Sequence, residues 1–189
     1  MRKYISIFII CMFVILPVFS ANADEDDREK SLVFTKVIEV TGTDKNELFN
    51  RARLWFSSAF GDSKEVLEIV DKENGELVGK GKFVFVSDSL WYNCSNGTVG
   101  FNANVYMKDG RYKYHFGGFN HNSDGNASCS LGNIKIHCGD EVVPVSGLGK
   151  KGSKKTCASL TKNINHNMEA VINGLTDAMS KKSAAEDDW

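Results

Sequence analysis

The chain has 189 residues, with 23 Lys and Arg against 24 Asp and Glu and a formal charge of −1 at neutral pH. That balance excludes the basic footprint with which proteins neutralise nucleic-acid phosphates, so no nucleic acid is expected as a partner. Hydrophobic residues make up 42% of the chain, enough for one domain with a packed core.

At the N-terminus, Arg2 and Lys3 precede an apolar run over residues 4–19, and Ser20-Ala21-Asn22-Ala23 puts small residues at both positions a signal peptidase reads. Charge, apolar stretch and cleavage site in this order predict a signal peptide over residues 1–23 and an exported protein, periplasmic or extracellular. The run is short for a membrane span and Pro17 sits near its end, so no transmembrane segment is expected after cleavage. Cys11 lies mid-run, away from the cleavage point, which argues against a lipid anchor. Cleavage removes two basic residues and no acidic ones, leaving a charge of −3. The acidic runs at 24–27 and 186–188 read as solvated tails (24–31 and 182–189) around a single domain at 32–181.

Four cysteines remain: Cys94, Cys129, Cys138 and Cys157. An even count in an exported chain favours disulfides, and all three pairings stay open.

In chain order, residues 32–40 are β-branched and partly alternating, which predicts a strand. Thr43-Asp44 opens a helix, with Asp44 as N-cap and Glu47 closing a capping box. Leu48, Phe49, Ala52, Trp55, Phe56, Ala59 and Phe60 make its apolar stripe, Leu54 falls on the wrong side, and Gly61 ends it. Residues 66–71 and 77–86 read as strands joined by a tight turn at Asn74-Gly75.

The next hairpin tests itself. With Asp109-Gly110 as a two-residue turn, Met107 faces Tyr112, Val105 faces Tyr114 and Ala103 faces Phe116, all apolar or aromatic. The opposite set pairs Lys108 with Arg111, Tyr106 with Lys113 and Asn104 with His115. A slip by one residue would turn the apolar set into water, so the register is well specified.

Beyond His121 the chain turns to Asn, Ser, Gly and Asp. This predicts a loop-rich insertion over about 122–157 with one short hairpin around Gly132-Asn133. A last helix is expected over 158–181, with Leu160, Ile164, Met168, Val171, Leu175, Ala178 and Met179 on one stripe and Gly174 off it. The order β-α-β-β-β-β-α, with one-sided helices and a half-polar sheet, predicts a two-layer α+β sandwich: an antiparallel sheet, two helices on one face and the other face open.

Three stretches, FTKVIEVTGTDKNELFNRARLWFSSAF, DKENGELVGKGKF and KDGRYKYHFGGFNH, resemble in order and spacing the Bacteroidetes family of exported domains of unknown function with a TATA-binding-protein-like fold. The resemblance covers about residues 33–121 and loosely the final helix. It implies a β-α-β(4)-α sandwich, the order reached above. It implies no activity and no ligand, so it assigns no site residues. The insertion and the segment 89–96 depart from it. The fold's name does not imply DNA binding, because unrelated functions share folds.

Several motifs suggest chemistry. Gly79-Lys80-Gly81-Lys82 lacks phosphate-loop spacing and a following Ser or Thr; with Phe83 and Phe85 the two glycines share the face of Val66 and Val70, where they would let Trp55 approach the sheet. Gly147-Leu148-Gly149-Lys150-Lys151-Gly152 matches a dinucleotide fingerprint literally but lacks the β-α-β setting, and reads as a flexible basic loop. His121, Asp124, His137 and the cysteines offer an alternative, a hydrolase or metal-dependent enzyme, yet no metal-ligand spacing occurs, so no metal and no cofactor are expected. His166 reads as solvated.

The outer sheet face remains, with Asn102, Asn104, Tyr106, Lys113 and His115, joined by Lys80 and Lys82 from the neighbouring hairpin. Polar residues there also serve simply to keep an open face soluble. Amide, aromatic and basic groups on a rigid sheet suit a glycan, a peptidoglycan fragment or a protein partner. The expectation is a non-catalytic binding module for a cell-envelope component, its ligand groups being Asn104, Tyr106, Lys113, His115, Lys80 and Lys82.

Overall fold

The computed structural model describes residues 32–60 and 66–181. The expected signal peptide, both expected acidic tails and the expected helix end at Gly61 lie outside the described residues. The elements are β1 (Phe34–Glu39), α1 (Lys45–Phe60), β2 (Leu67–Asp71), β3 (Glu76–Phe85), a 3-10 turn (Leu90–Ser95), β4 (Gly97–Lys108) and β5 (Arg111–Ser123). A second 3-10 turn (Ala127–Cys129), β6 (Gly132–Asn133), α2 (Ile134–His137) and α3 (Gly149–Ser180) follow.

The sheet is antiparallel throughout in the order β1-β5-β4-β3-β2, and β6 extends the edge of β5 past the end of β1. The β4–β5 register is the expected one, Met107 opposite Tyr112, Val105 opposite Tyr114 and Ala103 opposite Phe116. All six of these side chains are buried under the helices. The turn is also locked from outside. Asp109 accepts the Lys45 backbone N–H at 2.8 Å, placing a carboxylate on the positive end of α1.

Helix α1 starts as expected. The Asp44 carboxylate accepts the N–H groups of Asn46 and Glu47 at 2.7 and 3.0 Å, satisfying donors that have no partner within the helix. Leu48, Phe49, Ala52, Trp55 and Phe56 face the core, and Leu54 points to solvent. Arg51, on the same buried face, donates to Glu47 and to the carbonyl of Met179, so it caps the last turn of α3.

Four expectations need correction. The β2–β3 connection is a four-residue loop, because Asp71 pairs with Glu76 and accepts both the backbone and side-chain N–H of Asn74. The register therefore moves by two as far as Ile69, and a bulge between Leu67 and Ile69 then sets Leu67, not Val66, on the face of Gly79. The approach over Gly79 is made by Phe56, not Trp55, and Gly81 lies under the ring of Phe101 from the neighbouring strand. Gly132-Asn133 makes no hairpin of its own but pairs back to Asn120 and His121.

The largest correction concerns α3, which begins at Gly149 rather than Ala158, so the Gly/Lys motif is mostly helical. Its buried side there is made of Gly152, Ser153, Thr156 and Cys157, which continue the Leu160 stripe at helical spacing with small residues. Tyr92 packs against Gly152, where a Cβ would come within 2.8 Å of the ring.

Disulfides Cys94–Cys129 and Cys138–Cys157, with Cα separations of 5.9 and 5.4 Å, tie the first turn to the insertion and the insertion to α3. Such bonds persist in an oxidising compartment outside the cytosol. Among the described residues no helix is long and apolar enough to cross a membrane.

Candidate functional site

Helix α1 packs on β3, β4 and β5 from one side, and α3 packs on α1. The opposite face of the sheet is left open. Cross-strand rows on it run Val37–Lys113–Tyr106–Glu76, Thr35–His115–Asn104–Val78, Gly117–Asn102–Lys80 and Asn120–Gly100–Lys82. Successive rows lie about 7 Å apart, so the six residues chosen from the sequence share one surface.

A bulge shapes the far end of that surface. The register steps so that Phe101 faces Gly118 and Phe119 together, and Gly118 takes the left-handed conformation with φ of +69°. The step turns Phe119 and His121 inward and Asn120 outward. Gly81, Gly100 and Gly118 meet there on adjacent strands beside a cleft of about 590 Å³. The Phe101 ring covers Gly81 on the helix side and the Asn102 amide approaches Gly118, so Gly100 is the one of the three that leaves open space. Lys80, Lys82, Asn102 and Asn120 line it together with Phe60 and Phe101. Lys80 is held by Glu68 of β2 in an exposed ion pair.

Tyr106 and Lys113 lie in a second, smaller hollow of about 260 Å³, with Val37, Lys108 and Arg111. Asn104 sits between the two. Its amide nitrogen donates to the Tyr106 hydroxyl at 3.4 Å, while its carboxamide oxygen is buried with no hydrogen-bond partner. His115 is half-buried in the same row. The sequence reading missed Asn120 and the glycine depression. Carrying the strand register through the Gly117-Gly118 bulge would have found both.

The geometry does not assemble the alternative enzyme site. All four cysteines are paired, leaving no thiolate among them. His121 is fully buried on the helix side, where its Nδ1 accepts the Leu131 N–H at 3.1 Å and its Nε2 meets the Ser95 carbonyl at 2.8 Å. Burial pushes its pKa below the usual histidine value, opposed by the Ser95 contact and by Asp124. His137 Nδ1 lies 3.3 Å from the Val143 carbonyl within the insertion. Among the described residues no three His, Cys, Asp or Glu side chains gather where a metal could bind. His166 is exposed.

An antiparallel sheet with two long helices on one face defines a TBP-like α+β sandwich. Residues 34–122 match the family described as a domain of unknown function (DUF4468) with TBP-like fold. A DUF4468 family protein from Bacteroides ovatus shares the fold at a TM-score of 0.59 and 14% identity, over 80% of this chain and 88% of its own. A TBP-like protein from Parabacteroides distasonis does so at 0.53 and 14%, over 78% and 94%. No curated protein matches.

Proposed function

We propose that this protein is a non-catalytic binding module, exported by its leader, whose open sheet face takes a glycan of the cell envelope. One observation carries the reading: the cleft at Gly100, where Lys80, Lys82, Asn102 and Asn120 of the open face meet Phe60 and Phe101 from the helix side. An apolar floor with a few polar groups at its rim is the usual build of a small-ligand site. Lysines suit carboxylates or phosphates on a sugar, and carboxamides suit its hydroxyls. Tyr106, Lys113 and His115 extend the polar surface beyond the cleft, with Asn104 between them.

The test is thermal unfolding against peptidoglycan fragments, acidic and neutral glycans and divalent metals. A ligand at a hundredfold its Kd adds about 2.7 kcal/mol, a shift of several degrees for a domain of this size. Lys82→Gln is expected to change stability by no more than about 0.5 kcal/mol, as exposed changes do, and Tyr106→Ala and His115→Ala, which are half-buried, by about 1 kcal/mol, each still folding while weakening that shift. Loss of fold and binding in step would sink the assignment to this face. A shift with a metal alone would favour the enzyme reading instead.

A further inference from the structure

The corner opposite the Tyr106 end of β4 carries an unexplained apolar surface. Val84, Val86, Leu90 and Trp91 are all exposed, and Leu90 and Trp91 keep 90% of their surface. A tryptophan that exposed contributes almost no burial to its own fold, so packing gives no reason for it. The turn that carries it is firmly held. Cys94 is bonded to Cys129, the Ser95 hydroxyl donates to the Tyr92 carbonyl at 2.6 Å, and the Ser159 hydroxyl donates to Asp88 at 2.8 Å. The Tyr92 ring is seated on Gly152 of α3. Leu90 and Trp91 are thus presented on a cross-linked turn rather than on a loose loop.

The wall beside them is cationic. Tyr92 shares a concavity of about 390 Å³ with Ser87, Ser89, Lys155 and Lys162. Across residues 149–168, α3 carries Lys150, Lys151, Lys154, Lys155 and Lys162 and no carboxylate. The first four occupy the opening turns, where the helix dipole disfavours cations, and the N-cap residue, Leu148, offers no side-chain acceptor. By itself this arrangement weakens the start of the helix; an anionic surface laid against it reverses the sign. Asp88 is the one acid in the concavity, and Ser159 already donates to it.

From this juxtaposition we infer that the Leu90–Trp91 corner docks peripherally on a bilayer of anionic phospholipid. Leu90 and Trp91 enter the headgroup boundary, and lysines of α3 meet phosphates, one of them in the Lys155–Lys162 concavity. A sugar stacked on Trp91 would leave the aliphatic Leu90, Val84 and Val86 without a role. A bilayer engages Leu90 with Trp91 and the lysine row beside them together. The inference is independent of the sheet-face reading.

The purified protein is to be sedimented with vesicles of phosphatidylcholine, and with vesicles of equal parts phosphatidylcholine and phosphatidylglycerol. Binding is expected to the second only, and to fall steeply with salt. Trp91→Ser and Leu90→Ser should each weaken it by about tenfold, given the area a buried tryptophan or leucine removes from water. Lys155→Gln and Lys162→Gln should each cost about fivefold. Trp91→Phe should keep binding while abolishing the blue shift of tryptophan emission. Every variant should melt as the wild type does, and Tyr106→Ala should bind vesicles normally.

Equal binding to both vesicles, none to either, or an unchanged Trp91→Ser variant would overturn the proposal. So would loss of vesicle binding in Tyr106→Ala. Displacement by a soluble sulfated polysaccharide, with the same sensitivity to Trp91→Ser, would overturn it in favour of a glycan.

Discussion

Replacing His121 probes the insertion and its pH response at one position. Its ring lies fully buried between Phe85, whose ring it meets edge-on at 5.5 Å, and two backbone groups from separate segments. One is the Leu131 N–H of the insertion and the other the Ser95 carbonyl of the Trp91 turn. His121→Ala strands both groups, at about 1–3 kcal/mol each, and removes the ring contact, worth about 0.5–1.5 kcal/mol. The expected loss is about 3–6 kcal/mol, a large share of the ordinary stability of a domain. The sign of the pH dependence follows from the lowered pKa. Above the ordinary value of 6.5 the ring is neutral in both states and this group adds no slope. Below it the unfolded chain takes up a proton that the native protein resists. Stability therefore falls with pH from 6.5 towards the lower native pKa, by at most about 1.4 kcal/mol per pH unit. Urea unfolding with the disulfides intact, at pH 7.5 and 5.5, measures both effects, with His121→Gln as the non-titrating control. Identical midpoints for wild type and His121→Ala, or an unchanged slope in His121→Gln, would refute the reasoning.

Two further expectations concern packing and cross-links. A Cβ at Gly81 would fall within 2.6 Å of two atoms of the Phe101 ring, which Phe60, Phe83, Phe116 and Phe119 surround. Gly81→Ala should cost about 1–3 kcal/mol in the wild type and much less beside Phe101→Ala, so a double-mutant cycle should show coupling rather than additivity. Removing Cys138 and Cys157 together, whose bond spans 19 residues, should cost about 3 kcal/mol by loop-closure entropy. The loss should appear as faster hydrogen exchange in the first turns of α3, where four lysines and an N-cap residue without a side-chain acceptor already oppose the helix.

Where the sequence is legible, the reason is a period that burial enforces. The β4–β5 register could be read from the residues because alternate positions from Ala103 to Phe116 must be apolar, and every expected pair is present. The start of α1 could be read because Asp44 has a local task that needs no tertiary context. The start of α3 could not. Its buried face there is Gly152, Ser153, Thr156 and Cys157, chosen small for Tyr92 and for a disulfide, so the stripe loses its apolar mark while keeping its spacing. His121 was misleading for a similar reason, since a buried histidine serving two backbone groups looks in sequence like a catalytic one. The six ligand-binding candidates fell on one face because alternation fixes faces. The cleft stayed hidden because a bulge at Gly118 reverses the alternation halfway along β5.

The turn at 89–96, which lies inside the family match, and the insertion after 122 prove to be joined. Cys94 is bonded to Cys129, His121 bridges Ser95 and Leu131, and the Ser123 hydroxyl donates to the Cys94 carbonyl at 2.6 Å. The second disulfide carries this unit onto α3, and Tyr92 closes the loop by packing on Gly152. A loop that only had to connect strands would need none of these restraints, each of which takes ordering entropy to maintain. What they fix in space is the pair Leu90 and Trp91, exposed beside the lysines of α3. The open sheet and this cross-linked corner adjoin at Val84, the next position after Lys82 on the open face of β3, while Leu90, Trp91 and the lysines of α3 lie off the sheet. A change in the corner can alter where the protein is held without altering what its sheet binds.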